Sequence, residues 1–250
     1  MNSFFIPILA ALVVPSAHPG LADWLVFLPQ QTRKLAPWLT PSLGKVFWLS
    51  GFLVCVPVFL QAPLVRSWPV LALLLTGGWI ILALWLMKRP LTSVWGDLLL
   101  GFSWSWFTGA IYWGWFRGDP FVHLPIEALG LPIALWGLRQ RWGVIGHLFY
   151  LGSLLGTALT DGYFYLTGLM TFWKQVMVVE PALVAPIFHQ AIAQIQNPWG
   201  FSWAVALVGL LLGLGAWALA KKALGWQAFG GAILSTILVD SLFGLVALFA

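Results

Sequence analysis

Apolar residues in this chain come in unbroken blocks of about 20, without the alternation of a barrel strand or the single stripe of a surface helix. Seven blocks stand out, at 46–65, 69–87, 97–116, 121–138, 143–169, 201–220 and 226–249, each bounded by charges, prolines or tryptophans. Lipid offers backbone groups no partners, so each block is predicted to be a helix that satisfies its own hydrogen bonds. The predicted fold is all-α: a polytopic transmembrane helix bundle of about seven spans, forming a single domain over 1–250. Two stretches fall outside the pattern. MNSFFIPILAALVVPSAHPG opens on an apolar run with no Lys or Arg before it, a poor signal peptide, and residues 1–44 are read as an interfacial or short membrane segment. TFWKQVMVVEPALVAPIFHQAIAQIQNPWG, at 171–200, is more polar and broken by Pro181 and Pro186, which predicts an interfacial loop with a short amphipathic helix and a solvated His189.

Composition agrees with this pattern. Hydrophobic residues make up 61% of the chain and charged ones 8%, against roughly 45–50% and about 25% in a soluble domain. The 12 Lys and Arg are scattered in ones and twos, which excludes a nucleic-acid-binding stripe and leaves the lipid bilayer, and other membrane subunits, as partners. The lone Cys55 excludes an internal disulfide.

With seven spans, Arg33, Lys34, Lys45, Lys88, Arg89, Arg139, Arg141, Lys221 and Lys222 fall on one side, while Arg66, Arg117 and Lys174 fall on the other. The positive-inside bias then places the N-terminus in the cytoplasm and the C-terminus across the membrane. Trp48, Trp68, Trp95, Trp142, Trp173, Trp199 and Trp226 lie at predicted span ends, as interfacial tryptophans do. The third span is denser in aromatics, with Trp104, Trp106, Tyr112, Trp113 and Trp115; helix packing is the ordinary reason, and a hydrophobic pigment is the alternative.

An ionisable side chain at mid-bilayer costs about 2.5–3.5 kcal/mol on insertion scales and needs a partner or a wet cavity. Glu127, His147, Asp161 and Asp240 are in that position. In FRGDPFVHLPIEALGLP, Gly118 ends the third helix, Asp119 is a natural N-cap and Pro120 suits the first helical position. From there Asp119, His123 and Glu127 recur every four residues and drift by only about 80°, so they share a face. Pro125, Gly130 and Pro132 weaken the same helix. Helix geometry puts Asp161 about 27 Å and Asp240 about 21 Å from the cytoplasmic ends of their helices, and Glu127 about 9 Å below the outer start of its own. All three carboxylates therefore fall in the outer half, beneath Arg117, Asp119 and His123, which predicts one outward-facing polar cavity lined by these six residues. Its alternative is a set of structural polar groups that satisfy one another. Gly152 and Gly156 form a GxxxG pair, a signal for close helix packing. HExxH, CxxC, GxSxG and P-loop motifs are absent, and the four histidines are widely spaced, so no metal site is expected.

VPVFLQAPLVRSWP, GDLLLGFSWSWFTGAIYWGW, HLPIEALGLPIALWGL and FYLGSLLGTALTDGYFYLTGL together resemble an uncharacterised cyanobacterial integral-membrane family, a domain of unknown function (DUF3120), over about residues 54–178. The resemblance implies a thylakoid or plasma membrane location and carries over no activity, cofactor or catalytic residue. Three functional readings remain open. In the first, the cavity transports or binds a small molecule, with Glu127 and Asp161 as ligand or proton sites and Arg117 as an anion-steering or gating partner. In the second, the chain is an assembly, scaffold or pigment-binding factor for photosynthetic complexes, with a chlorophyll or carotenoid as cofactor and His147 as axial ligand. In the third, Glu127 and Asp161 are the acid and base of a membrane enzyme acting on an isoprenoid-like substrate; the tripeptide PIE at 125–127 is similar to one in membrane lycopene cyclases.

Overall fold

The computed structural model describes residues 39–249, and all their regular structure is helical. The expected N-terminal segment, with Arg33 and Lys34, lies outside the described residues except for its last few positions. Seven long helices follow the seven apolar blocks: α1 (Leu43–Ser67), α2 (Pro69–Met87), α3 (Ser93–Ile111), α4 (Pro120–Arg139), α5 (Val144–Thr167), α8 (Pro198–Ala220) and α9 (Leu224–Phe249). Between α5 and α8 the structure places two amphipathic helices, α6 (Leu169–Val178) and α7 (Val184–Gln196), where the sequence predicts one. His189 is exposed, as expected.

Five helices, α1, α2, α4, α8 and α9, are long and apolar enough to cross a membrane. The other two, α3 and α5, are long but carry more Ser, Thr, Gly and Asp. Position accounts for the difference. These two sit inside the bundle, with buried residues along most of their lengths, and need less greasy surface because neighbouring helices cover them.

Small residues set the helix spacing. α3 and α5 touch backbone to backbone where Gly101 meets Gly146, since a Cβ on either would coincide with a main-chain atom of the other helix. The Gly152–Gly156 pair performs the role expected of it against α9. A Cβ on Gly152 would stand 2.6 Å from the Phe229 carbonyl oxygen, and one on Gly156 would strike the Thr236 hydroxyl. Next to the first crossing, Asp97 on α3 accepts from the backbone N–H groups of Ile145 at 3.1 Å and Gly146 at 2.8 Å, so a side chain from another helix caps the start of α5. Asp97→Ala is expected to lower stability by about 1–2 kcal/mol, read as a drop in unfolding temperature in detergent. An unchanged transition would show that the glycine contacts alone hold this end.

Helix ends follow local chemistry. Asn197 caps α8 through the Gly200 N–H at 2.8 Å, and α5 ends at Gly168, whose φ of +78° suits a residue without a Cβ. Two carbonyls left open there are taken from across the fold: Gln194 on α7 donates to Thr167 O at 2.8 Å, and Trp199 on α8 donates to Leu166 O at 2.9 Å. Among the described residues, Lys45, Lys88, Arg89, Arg139, Arg141, Lys221 and Lys222 lie at one end of the bundle, and Arg66, Arg117 and Lys174 at the other.

Candidate functional site

The site lies at the end of the bundle with fewer basic residues. α3 reaches it through a π-helical turn, Tyr112–Phe116, of the kind often found at functional sites. The chain then turns at Asp119, which caps the next helix by accepting from the Phe121 N–H at 3.2 Å, and Pro120 takes the first position as expected. α4 is uneven, as its prolines predict: a 3-10 turn at Pro120–Val122, one α turn at His123–Glu127, a second 3-10 turn at Ala128–Gly130, and regular helix only from Leu131. The Glu127 carbonyl at this break accepts from the Tyr150 hydroxyl on α5. A polar backbone atom exposed by the irregular turn is thereby satisfied inside protein.

This geometry brings together three of the six residues expected in the cavity. His123 Nδ1 stands 3.0 and 3.1 Å from the two carboxylate oxygens of Asp161, with side-chain exposures of 12% and 7%. Glu127 lies close enough to interact electrostatically with both. Its Oε2 is 3.0 Å from Thr108 Oγ1 on α3, whose single hydroxyl proton can alternatively go to the carbonyls of Trp104 at 3.1 Å or Ser105 at 3.2 Å. Asp240 on α9 stands at the margin, exposed, accepting from Thr160 at 2.8 Å and within electrostatic reach of Asp161.

Arg117 and Asp119 are placed differently from the expected lining. The Arg117 guanidinium turns back along its own chain to the Trp113 carbonyl at 3.4 Å, and among the described residues the His123–Asp161 contact is the ion pair. Asp119 is exposed and occupied as a cap. Both therefore stand outside the buried His123–Asp161 contact.

Rings surround the histidine. The Tyr112 centroid is 4.3 Å from that of His123, Trp173 is 5.4 Å away and Trp113 6.3 Å, with Phe164 behind Trp173 at 5.7 Å. Sequence position suggests that Trp173 is an interfacial anchor; instead α6 folds it onto the site, stacked on Trp113. The indole N–H of Trp173 and the hydroxyl of Tyr112 are buried without a hydrogen-bond partner. Tyr112 is 0% exposed, and its hydroxyl lies within electrostatic reach of Asp161, Asp119 and Glu127. Thr108 on α3, Tyr150 on α5 and Trp173 on α6 carry no local sign of their place in the site, because each reaches it from a different helix.

His147 lies far from this cluster, fully buried at the opposite end of the bundle, with both ring nitrogens unpartnered. Trp142 packs on it at 5.6 Å, and the His147 Nε2 fills the space beside two glycines: a Cβ on Gly137 would strike it and one on Gly143 would stand 3.0 Å from it. A macrocycle could reach that nitrogen only if these groups moved aside. Among the described residues no three His, Cys, Asp or Glu side chains are grouped to hold a metal ion.

A bundle of long apolar helices whose ionisable groups meet one another inside it defines a helical membrane protein. Residues 50–248 match the family described as "Protein of unknown function (DUF3120)", and the chain belongs to that family. The match runs through α8 and α9, well beyond the 54–178 over which the sequence motifs carry the resemblance. No curated protein and no solved structure matches the chain.

Proposed function

We propose that this membrane protein binds a small solute at the His123–Asp161–Glu127 cluster and couples its movement to a proton. The observation that carries the proposal is the His123–Asp161 pair at 3.0 Å with Glu127 beside it, at the break in α4. Ionisable residues are costly inside membrane helices and commonly mark substrate paths or proton relays. The Thr108 geometry supports proton coupling, because Glu127 keeps a hydrogen bond in either state. As a carboxylate it accepts from Thr108; as an acid it donates to Thr108, whose own proton then goes to a backbone carbonyl. An irregular helix at the site also suits a transporter, where broken helices line the substrate path.

In this reading α3 and α5 also span, so the chain crosses seven times. The larger share of basic residues then puts that end in the cytoplasm, and the site opens on the other side. The resemblance to a cyanobacterial family supports a thylakoid or plasma membrane.

The test is a screen of soluble metabolites for thermal stabilisation of the full-length protein in mild detergent, with an absorption spectrum of the same sample. A colourless protein stabilised by at least one solute is expected, with the response lost in Glu127→Gln and Asp161→Asn while both still insert and purify. Near-stoichiometric chlorophyll or carotenoid, or variants that respond like the parent, would overturn the reading.

A further inference from the structure

Resting on the solute-binding reading above, we infer that the ligand is an organic ammonium ion, a primary amine carrying a short apolar tail. The cluster is rich in carboxyl groups. Asp119, Glu127, Asp161 and Asp240 lie at or around it, and His123 is the basic group that faces them, while the Arg117 guanidinium bonds to a backbone carbonyl. A cation entering here would meet carboxylates without displacing a guanidinium.

The walls suit the same ligand. Tyr112, Trp113 and Trp173 surround the His123 ring, with Phe164 behind Trp173, and aromatic faces attract ammonium groups most strongly where water is thin. An apolar tail has these rings to cover it.

The Tyr112 hydroxyl supplies an independent observation. It is fully buried, bonded to nothing, and within charge reach of Asp161, Asp119 and Glu127. A phenol oxygen among carboxylates is an acceptor for an N–H donor, and an ammonium carries three, enough to engage Tyr112 and two carboxylate oxygens together. A bare metal ion suits the place less well, since three protein ligands do not converge among the described residues.

The experiment titrates full-length protein in nanodiscs with butylammonium chloride, following tryptophan fluorescence and unfolding temperature. Sodium butyrate and butanol serve as controls at matched ionic strength. Butylammonium is expected to give a saturable response that neither control gives, and Asp161→Asn to abolish it. Because its hydroxyl has no protein partner, Tyr112→Phe should unfold at the parent temperature without ligand yet bind butylammonium roughly tenfold more weakly. Binding of butyrate or butanol in place of the amine, or equal amine binding by Tyr112→Phe, would overturn the ammonium assignment and leave the solute-binding reading standing. If butylammonium gives no response while the metabolite screen finds a ligand, the ammonium class alone falls; if neither gives one, both readings fall.

Discussion

Asp161→Ala is expected to lose about 3 kcal/mol of stability and all response to solute. His123 Nδ1 donates to a carboxylate whose two oxygens lie at 3.0 and 3.1 Å, and its ring is enclosed by Tyr112, Trp113 and Trp173. Alanine would leave that donor without its acceptor, enclosed by aromatic rings between α4 and α5. Asp161→Asn separates the two effects. Its amide oxygen can still accept from Nδ1, so most of the stability should return, while the missing charge keeps the solute response absent. Denaturation of the three proteins in one detergent measures the first effect and the metabolite screen the second. An alanine variant that unfolds with the parent would show that the pair does not join α4 to α5.

Gly101→Val should be more damaging, with a loss of at least about 3 kcal/mol and failure to elute as a single folded species in size-exclusion chromatography. Its Cβ would occupy the position of the Gly146 carbonyl, and helices crossing in backbone contact cannot absorb that by rotating a side chain. Gly78→Ala on α2 is the matched control. Nothing stands within 4 Å of its Cβ position and the residue is exposed, so alanine should be neutral or slightly stabilising through helix propensity. Equal damage from the two substitutions would remove the crossing as the explanation.

Much of the secondary structure was legible because each helix end is written in adjacent residues. Asp119 with Pro120 starts a helix by its own chemistry and the structure keeps it, and Gly168 and Asn197 stop and start helices by the same local means. The depth estimate was legible for a similar reason. A helix rises by a fixed step, so residue number alone places Glu127, Asp161 and Asp240 at one end of the bundle. Composition was less informative about α3 and α5, since hydropathy records what faces lipid and these two face other helices.

The partners were not legible. Asp97 carries no local sign of its role, because its two N–H donors lie nearly 50 residues away and are met only when α5 is set beside α3. Trp173 sits where an interfacial anchor would, and only the turn at Gly168 directs it onto His123. Arg117 reads as an anion-steering or gating partner because it precedes the carboxylates in sequence, whereas its side chain turns back along its own chain to the Trp113 carbonyl.

The sequence by itself determined the apolar character, the helices and the place of each charge along its helix, because twenty-residue apolar runs, caps and a constant helical rise are local properties. Tertiary structure decided which charges meet. That choice depends on how closely two helices approach and how each is rotated, and here it is set by glycines such as Gly101, Gly146, Gly152 and Gly156, whose missing side chains act on the neighbouring helix. The His123–Asp161 pair, 38 residues apart in the chain, follows from that packing.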